Sequence, residues 1–244
     1  MEKKYLINKS QSNDLYISMK LLHDTLVENK IPYFMVGGTL LGAIRHQGVI
    51  PHDDDGDICI FKKDVSKLRK LIDYFDDIGY VLEEGLEEKQ CNKRKNSCTW
   101  FFSSKKKHAI GIDIFVMFKK GDKITYYDPY WETASNGGKK CYFSAELLFP
   151  LLPYRFGNYY LYGPHNAIEH LNRCYGQDWN SKGQVLYDHK TGVFVQSEKK
   201  DLKTNDFLTL KPPKQTCDMN VPNVLCEKKN YFSKKSSKKA SKKR

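Results

Sequence analysis

Long apolar runs are missing from this sequence of 244 residues. Charges interrupt the first ten residues, so no apolar stretch of signal-peptide length is present there. Elsewhere no segment reaches the roughly 20 apolar residues that a membrane helix needs. We therefore expect a protein without a membrane span, located in the cytoplasm.

Cysteines spaced as a metal motif or a disulfide scaffold are missing as well. The seven cysteines are an odd number and form no C-x-x-C pair. A disulfide framework is not expected in a chain of this length, so the sequence predicts free thiols in a reducing compartment. The alternative is a zinc site in which Cys91 and Cys98 join Cys141 or His108, although their spacing fits no standard zinc finger.

Acidic residues are absent from the last 17 residues. Residues 228–244 hold eight lysines and one arginine, which is nine of the twelve excess positive charges. The remaining chain is nearly balanced, so its charge does not favour nucleic-acid binding by the folded part. We expect the tail to be disordered because it cannot build a core, and any nucleic-acid or anionic partner would bind there.

The sequence does contain enough apolar material for one folded domain. Hydrophobic residues make up 40% of the chain and aromatic residues 13%, as in globular proteins. We expect Ser12 or Asn13 to cap a first helix, and Pro164 to begin a late helix whose Ile168 faces inward. The periodicity predicts helices at about 13–29, 64–77 and 164–175, and strands at about 80–82, 97–103 and 123–127.

The rest of the chain is organised around residues 33–61. Residues 33–36 form a short apolar, β-prone run, which predicts a buried strand. Gly37 and Gly38 lack Cβ atoms, so a ligand or another backbone segment can approach closely. Thr39 is a candidate N-cap for a helix over 40–45. A glycine-rich turn that opens a helix presents unpaired N–H groups, which suit a phosphate.

Four carboxylates follow this helix: Asp53, Asp54, Asp55 and Asp57. Asp55 and Asp57 are two positions apart, so on an extended chain their side chains point the same way. Two parallel carboxylates repel each other, and a divalent cation with oxygen ligands, such as Mg²⁺, removes that repulsion. The alternative is a solvated acidic turn.

One further carboxylate lies in the most hydrophobic predicted strand, at residues 109–118. This strand carries a single charge, Asp113. A lone carboxylate in a buried strand is costly unless it is paired or binds a metal ion. Asp113 is therefore either a paired structural residue or part of the same site as the upstream cluster.

These motifs resemble the LicD family, of the phosphocholine transferase, fukutin and fukutin-related protein type. The family signature is approximately G-G-T-L-L-G-A-x-R-H-x-G-x-I-P-W-D-D-D-x-D, and residues 37–57 match it except at His52, where the family has Trp, and at Gly56, where it has an aliphatic residue. Gly56 is expected to loosen the strand between the two predicted ligands. Two downstream blocks, at 112–115 and 148–179, extend the resemblance over about 35–180.

The resemblance implies an α+β fold with a nucleotidyltransferase-like mixed β-sheet and packed helices. It implies that Asp113 is the third carboxylate, and that Asp55, Asp57 and Asp113 hold one or two Mg²⁺ or Mn²⁺ ions. The implied reaction transfers a phosphocholine- or polyol-phosphate-like group from a CDP-activated donor to a glycan hydroxyl. Asp113 or Asp53 would take the hydroxyl proton.

The phosphate contacts are the next part of this hypothesis. Gly37, Gly38 and Thr39 would hold the phosphate through backbone N–H groups, and Arg45 would add a charge-assisted contact. For Arg45 the alternative is a structural salt bridge. We expect a catalytic domain over 1–195, an irregular extension over 196–227 and the lysine-rich tail over 228–244.

Three other functions stay open at this point. The chain could be a nucleotidyltransferase that moves NMP, because two spaced aspartates with a third serve both reactions. It could be a catalytically inactive binding module, which the departures at His52 and Gly56 allow. It could also bind nucleic acid through its lysine-rich tail.

Overall fold

A seven-stranded mixed sheet forms the centre of the protein, as a computed structural model shows. The strands of the sheet are β1 (Tyr33–Met35), β2 (Gly56–Phe61), β3 (Tyr80–Glu84), β4 (Thr99–Ser104), β5 (Gly111–Lys120), β6 (Lys123–Tyr126) and β7 (Phe143–Ser144). The structure describes residues 6–85, 99–106, 109–128, 131, 142–184, 187–188, 193–194 and 198–207.

The strand order is β1-β2-β5-β4-β3, and β6 pairs with the second half of β5 and with β7. Strands β2 and β5 are parallel, whereas the other neighbours are antiparallel. The predicted α+β class, with a mixed sheet and packed helices, is therefore confirmed. The strands expected near 33–36, 97–103, 109–118 and 123–127 are all present.

Within the described ranges, six α-helices accompany the sheet: α1 (Lys9–Glu28), α2 (Gly37–Arg45), α3 (Val65–Arg69), α4 (Ile72–Asp77), α5 (Ala145–Leu148) and α6 (Ala167–Tyr175). A separate hairpin consists of β8 (Leu152–Phe156) and β9 (Tyr159–Gly163). Two pairs of two-residue strands follow, β10 (Lys182–Gly183) with β13 (Lys200–Asp201) and β11 (Tyr187–Asp188) with β12 (Val193–Phe194). Residues 200–201 of the predicted extension thus pair with β10.

Helices cover both faces of the sheet. On one face, α1 places Met19 against Gly56 and Ile112, and α4 places the Phe75 ring 4.7 Å from that of Phe102. On the other face, Phe34 of β1 contacts Phe143 at 5.3 Å between ring centroids. Phe143 in turn stacks on His170 of α6 at 4.0 Å.

The first helix is buried along its predicted stripe, since Leu15, Met19, Leu22 and Leu26 are at most 2% exposed. Its cap differs from the expectation of Ser12 or Asn13. Asn8 Oδ1 accepts a hydrogen bond from the Gln11 N–H at 3.0 Å, and Gln11 Oε1 accepts one from the Asn8 N–H at 3.0 Å. This reciprocal capping box satisfies two N–H groups and starts the helix at Lys9.

The predicted helix over 64–77 is broken into α3 and α4. Between them, the Lys70 N–H bonds to the Lys67 carbonyl and the Leu71 N–H to the Leu68 carbonyl. These i to i−3 bonds tighten the chain into a 3₁₀-like turn. No glycine or proline marks the break, so the sequence pattern did not reveal it. Gly79, at φ +85°, follows α4 as expected.

The late helix also begins later than predicted. Its first residue is Ala167 and not Pro164, and its N-cap is Asn166, whose Oδ1 accepts a hydrogen bond from the Glu169 N–H at 3.0 Å. Ala167 and Leu171 face inward as expected, but Ile168 is 49% exposed, so its inward assignment was wrong.

The described residues bear on the expectations about the cysteines and about membrane spans. Cys59 is a free, buried thiol, whereas Cys174 is disulfide-bonded, which corrects the expectation of free thiols at that position. The four candidate zinc ligands, and the basic tail, lie outside the described residues. Among the described helices, none is both long and apolar enough to cross a membrane.

Candidate active site

The three predicted metal ligands lie together at one end of the parallel strand pair. Asp57 of β2 is directly opposite Asp113 of β5 in the parallel register. Asp55 immediately precedes β2. One carboxylate oxygen from each of Asp55, Asp57 and Asp113 lies within 4.8 Å of the others, and all three side chains are partly exposed. The sheet therefore joins ligands that are far apart in the sequence.

The start of α2 fixes the position of Asp57. The Gly38 N–H donates a hydrogen bond to Asp57 Oδ2 at 3.1 Å. The Asp57 N–H donates to Thr39 Oγ1 at 2.8 Å. Thr39 was predicted to be the N-cap of this helix, but the helix begins at Gly37 after Val36, and the Thr39 hydroxyl instead accepts from β2. The helix and the strand are thus locked to each other beside the carboxylate.

The two glycines leave room for carboxylates. A Cβ added to Gly37 would overlap the Asp57 carboxylate, and one added to Gly38 would overlap the Asp53 carboxylate. Gly37 also has φ +54°, a conformation that favours glycine. The close approach expected at these glycines is therefore made by side chains of the acidic cluster. The phosphate contacts assigned to Gly37, Gly38 and Thr39 stay predictions.

The site concentrates negative charge. Burial raises the pKa of Asp57 well above its usual range, and the nearby Asp55, Asp53 and Asp113 raise it further. The hydrogen bond from Gly38 acts in the opposite direction. A divalent cation relieves such repulsion, and carboxylate oxygens are the ligands that Mg²⁺ and Mn²⁺ prefer. The donor set therefore fits the predicted cation.

Arg45 lies at the other end of α2 and holds a later segment of the chain. Its Nη1 donates to the Trp179 carbonyl at 2.7 Å and to the Lys182 carbonyl at 3.2 Å. Burial lowers the pKa of Arg45, while Tyr175 and Asp53 raise it. One guanidinium nitrogen thus has a structural role, because it binds two backbone carbonyl groups. The phosphate contact of Arg45 stays a prediction.

His46 continues this connection to the C-terminal segment. The Arg45 Nε–H donates to His46 Nδ1 at 3.4 Å, so His46 Nε2–H is the donor to the Asp206 carbonyl at 2.9 Å. Burial lowers the pKa of His46 to about 4, which keeps this neutral tautomer at pH 7. Trp179, Lys182 and Asp206 are therefore fastened to the helix that supports the metal ligands, a role that the sequence did not reveal.

The two departures from the family signature have structural explanations. Burial lowers the pKa of His52 to about 4, with Arg45 and His46 as further causes, so His52 is a neutral aromatic ring at pH 7. Gly56 does not loosen the strand, since it pairs with Ile112 in the parallel ladder. A Cβ at Gly56 would lie 2.7 Å from the end of the Met19 side chain, so the glycine accommodates α1.

Two tyrosines near the carboxylates were not among the predicted site residues. Burial raises the pKa of Tyr175, the last residue of α6, and Asp57, Asp53 and Asp55 raise it further. Burial also raises the pKa of Tyr126, with contributions from Cys59 and Asp57. Both phenols therefore stay protonated beside the acidic cluster. The only sequence signal was Tyr175, which lies in the last of the matching blocks.

Several known proteins are similar to this chain in sequence. The sequence model described as LicD/FKTN/FKRP, nucleotidyltransferase domain, matches residues 30–166. An uncharacterised protein of Rickettsia prowazekii is 34% identical over 219 residues, which cover 86% of this chain and 72% of the relative. A similar Rickettsia typhi protein is 34% identical and is covered over only 61% of its length.

More distant relatives have named activities. The human ribitol 5-phosphate transferase FKRP is 26% identical over 154 residues, which are 60% of this chain and 28% of FKRP. Among solved structures, the lincosamide antibiotic adenylyltransferase LnuA is similar with a TM-score of 0.40 at 16% identity, over 62% of this chain and 81% of LnuA. The match over residues 30–166 shows that the chain belongs to the LicD/FKTN/FKRP family.

Proposed function

We propose that the protein catalyses metal-dependent transfer of a phospho-alcohol group from a CDP-activated donor to a glycan hydroxyl. The observation that carries this proposal is the convergence of Asp55, Asp57 and Asp113 within 4.8 Å. The named activity of FKRP, ribitol 5-phosphate transfer, supports a polyol phosphate as the transferred group. A phosphocholine-like group is the other donor class that we include.

The metal ligands in this proposal are Asp55, Asp57 and Asp113, with Mg²⁺ or Mn²⁺ as the cation. When bound, the cation would neutralise negative charge on the donor diphosphate. The protein orients the ligands beforehand, because Gly38 binds Asp57 Oδ2 and the β2–β5 register sets Asp113 beside it. Such prior orientation lowers the reorganisation that the reaction requires.

The transfer step follows from the donor chemistry. The acceptor hydroxyl oxygen forms a bond to the phosphorus that carries the alcohol, and the bond from that phosphorus to the CMP oxygen breaks. The hydroxyl proton goes to a carboxylate. We assign this role to Asp53, because it lies against Gly38 beside the cluster and outside the three-ligand set, with Asp113 as the alternative acceptor.

The phosphates would be held at the start of α2. The positive end of a helix dipole favours an anion, and this end adjoins the carboxylates. Gly37, Gly38 and Thr39 supply the backbone there, although the Gly38 N–H already serves Asp57. Arg45 would add positive charge from the other end of the helix. The glycan acceptor and a cytoplasmic location remain parts of the proposal.

Calorimetric titration tests the proposal. CDP, CDP-choline, CDP-ribitol and CDP-glycerol are titrated with Mn²⁺ or with EDTA into the wild type and into Asp55→Asn and Asp57→Asn. We expect binding that needs Mn²⁺ and is lost in both variants. Asp76→Asn is the matched control, because Asp76 is an exposed partner of Lys105 on α4, which packs on the opposite face of the sheet. Metal-independent binding, or binding that survives in both variants, would contradict the proposed site.

The products distinguish the two transferase mechanisms. With a glycan acceptor, phospho-alcohol transfer releases CMP, whereas nucleotidyl transfer leaves the nucleotide on the acceptor. Mass analysis of the modified acceptor separates these outcomes. An acceptor that carries CMP would replace our proposal with the alternative that the sequence left open.

A further inference from the structure

A row of side chains extends from the carboxylates across the sheet. Asp57 pairs with Asp113, Asp113 pairs with Phe101, and Phe101 pairs with Glu83. Residues that are directly opposite on neighbouring strands project from the same face of a sheet. The row therefore lies on the face that carries the metal ligands, and it runs over β2, β5, β4 and β3.

Phe101 projects from this face and is partly exposed. A Cβ added to Gly111 would overlap the Phe101 ring, so the ring occupies the space that the glycine leaves open. The buried side chains of β4 are on the opposite face, where Trp100 and Phe102 are 0% exposed. Phe101 instead projects from the face of Asp113, with which it pairs, and is partly exposed there.

The flanking positions on the same face are polar. Thr99 and Ser103 are two residues before and after Phe101 on β4, and both are partly exposed. Glu83 is exposed on the next strand, whereas its neighbour Glu84 faces the other way and pairs with Arg69 at 2.6 Å. A flat apolar ring is therefore bordered by two hydroxyl groups and one carboxylate.

The spacing matches a nucleoside diphosphate. Neighbouring strands are about 4.8 Å apart, so Phe101 is about 5 Å and Glu83 about 10 Å from Asp113 along the row. A ribose separates a nucleobase from its phosphates by a comparable span. With the diphosphate at the triad, the base reaches the Phe101 ring and its far edge reaches Glu83.

We propose that Phe101 stacks on the nucleobase of the donor and that Glu83 accepts a hydrogen bond from an exocyclic amino group of that base. An aromatic ring stacks on any base, so Phe101 supplies affinity. A carboxylate accepts from the amino group of cytosine, whereas uracil has a carbonyl at that position, so Glu83 supplies selectivity. This inference rests on the proposed function and assigns the specificity of the same site.

Three ligands test the inference in the presence of Mn²⁺: CDP, UDP and ribose 5-diphosphate, which lacks the base. For Phe101→Leu, calorimetry should show CDP binding weakened roughly 5- to 100-fold, because base stacking is lost. Binding of ribose 5-diphosphate should stay unchanged. Phe118→Leu is the matched control, since Phe118 is a partly buried ring on the opposite face of β5.

Glu83→Ala tests selectivity in the same experiment. We expect the wild type to prefer CDP over UDP and the variant to bind both with similar affinity. Glu84→Ala should keep the wild-type preference. Unchanged CDP affinity in Phe101→Leu, or equal weakening of the base-free ligand, would overturn the stacking role. If no diphosphate binds the wild type with Mn²⁺, the proposed function itself fails, and this inference fails with it.

Discussion

The two faces of the same pair of parallel strands differ in what they contribute. On one face, Ile58 of β2 and Ile114 of β5 lie opposite each other and are 0% exposed. On the other face, Asp57 and Asp113 lie opposite each other and are partly exposed. Because side chains alternate along a strand, one backbone register places the apolar pair and the acidic pair one residue apart. At this end of the strand pair, the apolar pair thus contributes to the core and the acidic pair to the candidate site.

The largest expected effect comes from the acidic face. Asp57→Asn should lower the transferase activity by on the order of 10²- to 10³-fold, because cation-mediated charge stabilisation is worth several kcal/mol. The same variant should unfold at a higher urea concentration than the wild type in EDTA, since burial and three carboxylates disfavour the charged Asp57. Urea unfolding and initial rates check both parts. A less stable variant would contradict the repulsion that we infer.

A substitution on the opposite face should lower the stability of the protein and leave ligand binding unchanged. Ile114→Ala removes a fully buried side chain and should lower the free energy of unfolding by about 2–5 kcal/mol. The folded fraction should keep wild-type affinity for Mn²⁺ and for CDP. Urea unfolding and calorimetry in the same buffer separate the two quantities. Loss of Mn²⁺ affinity in fully folded Ile114→Ala would show that the two faces are not independent.

A third expected effect concerns the connection at the end of α2. The folded-state pKa of His46 and of His52 is about 4, below the unfolded value of about 6.5. The unfolded chain therefore binds more protons between these values, and stability should fall from pH 6.5 towards pH 4 by up to about 1.4 kcal/mol per pH unit for each histidine. His46→Gln/His52→Gln should make this dependence shallower.

The matched comparison for this prediction is the pair His23 and His170. Burial also lowers their pKa values, to about 4 and about 3 respectively, and neither lies on the connection to Asp206. Because the double variant keeps His23 and His170, its stability should show roughly half of the pH dependence that the wild type shows. Urea unfolding at pH 7.5, 6 and 5 measures how the free energy of unfolding depends on pH. An unchanged slope in the double variant would contradict the neutral, buried state of His46 and His52.

Sequence reasoning succeeded where the signal was local or where a family pattern carried it. The spacing of Asp55 and Asp57 predicted that their side chains point the same way, and the resemblance to the LicD family implied Asp113 as the third carboxylate. The structure places the three carboxylates within 4.8 Å of one another. The predictions of the caps of α1 and α2 were wrong because other hydrogen bonds form at these helix starts. Asn8 caps α1 because Gln11 reciprocates, and the Thr39 hydroxyl binds the Asp57 N–H in place of its own helix.

Long-range contacts were the least predictable from the sequence. No local pattern indicates that the Asp206 carbonyl accepts a hydrogen bond from His46. Nor does one indicate that Glu83 pairs with Phe101 and Phe101 with Asp113 on neighbouring strands. Strand register and backbone hydrogen bonds of this kind are set by the whole sheet and not by residue type. They are also the contacts that complete the surroundings of the site.

The parallel pairing of β2 and β5 has a consequence for the folding pathway. Strands β3, β4 and β5 pair antiparallel in chain order, and β1 pairs with β2 across one short helix, so both units have mainly local contacts. Joining β2 to β5 closes a longer loop, which is the slower kind of event. That late step also brings Asp57 to Asp113. We therefore expect divalent cations to affect the last step of folding, in which the β1–β2 pair joins the strands β3, β4 and β5.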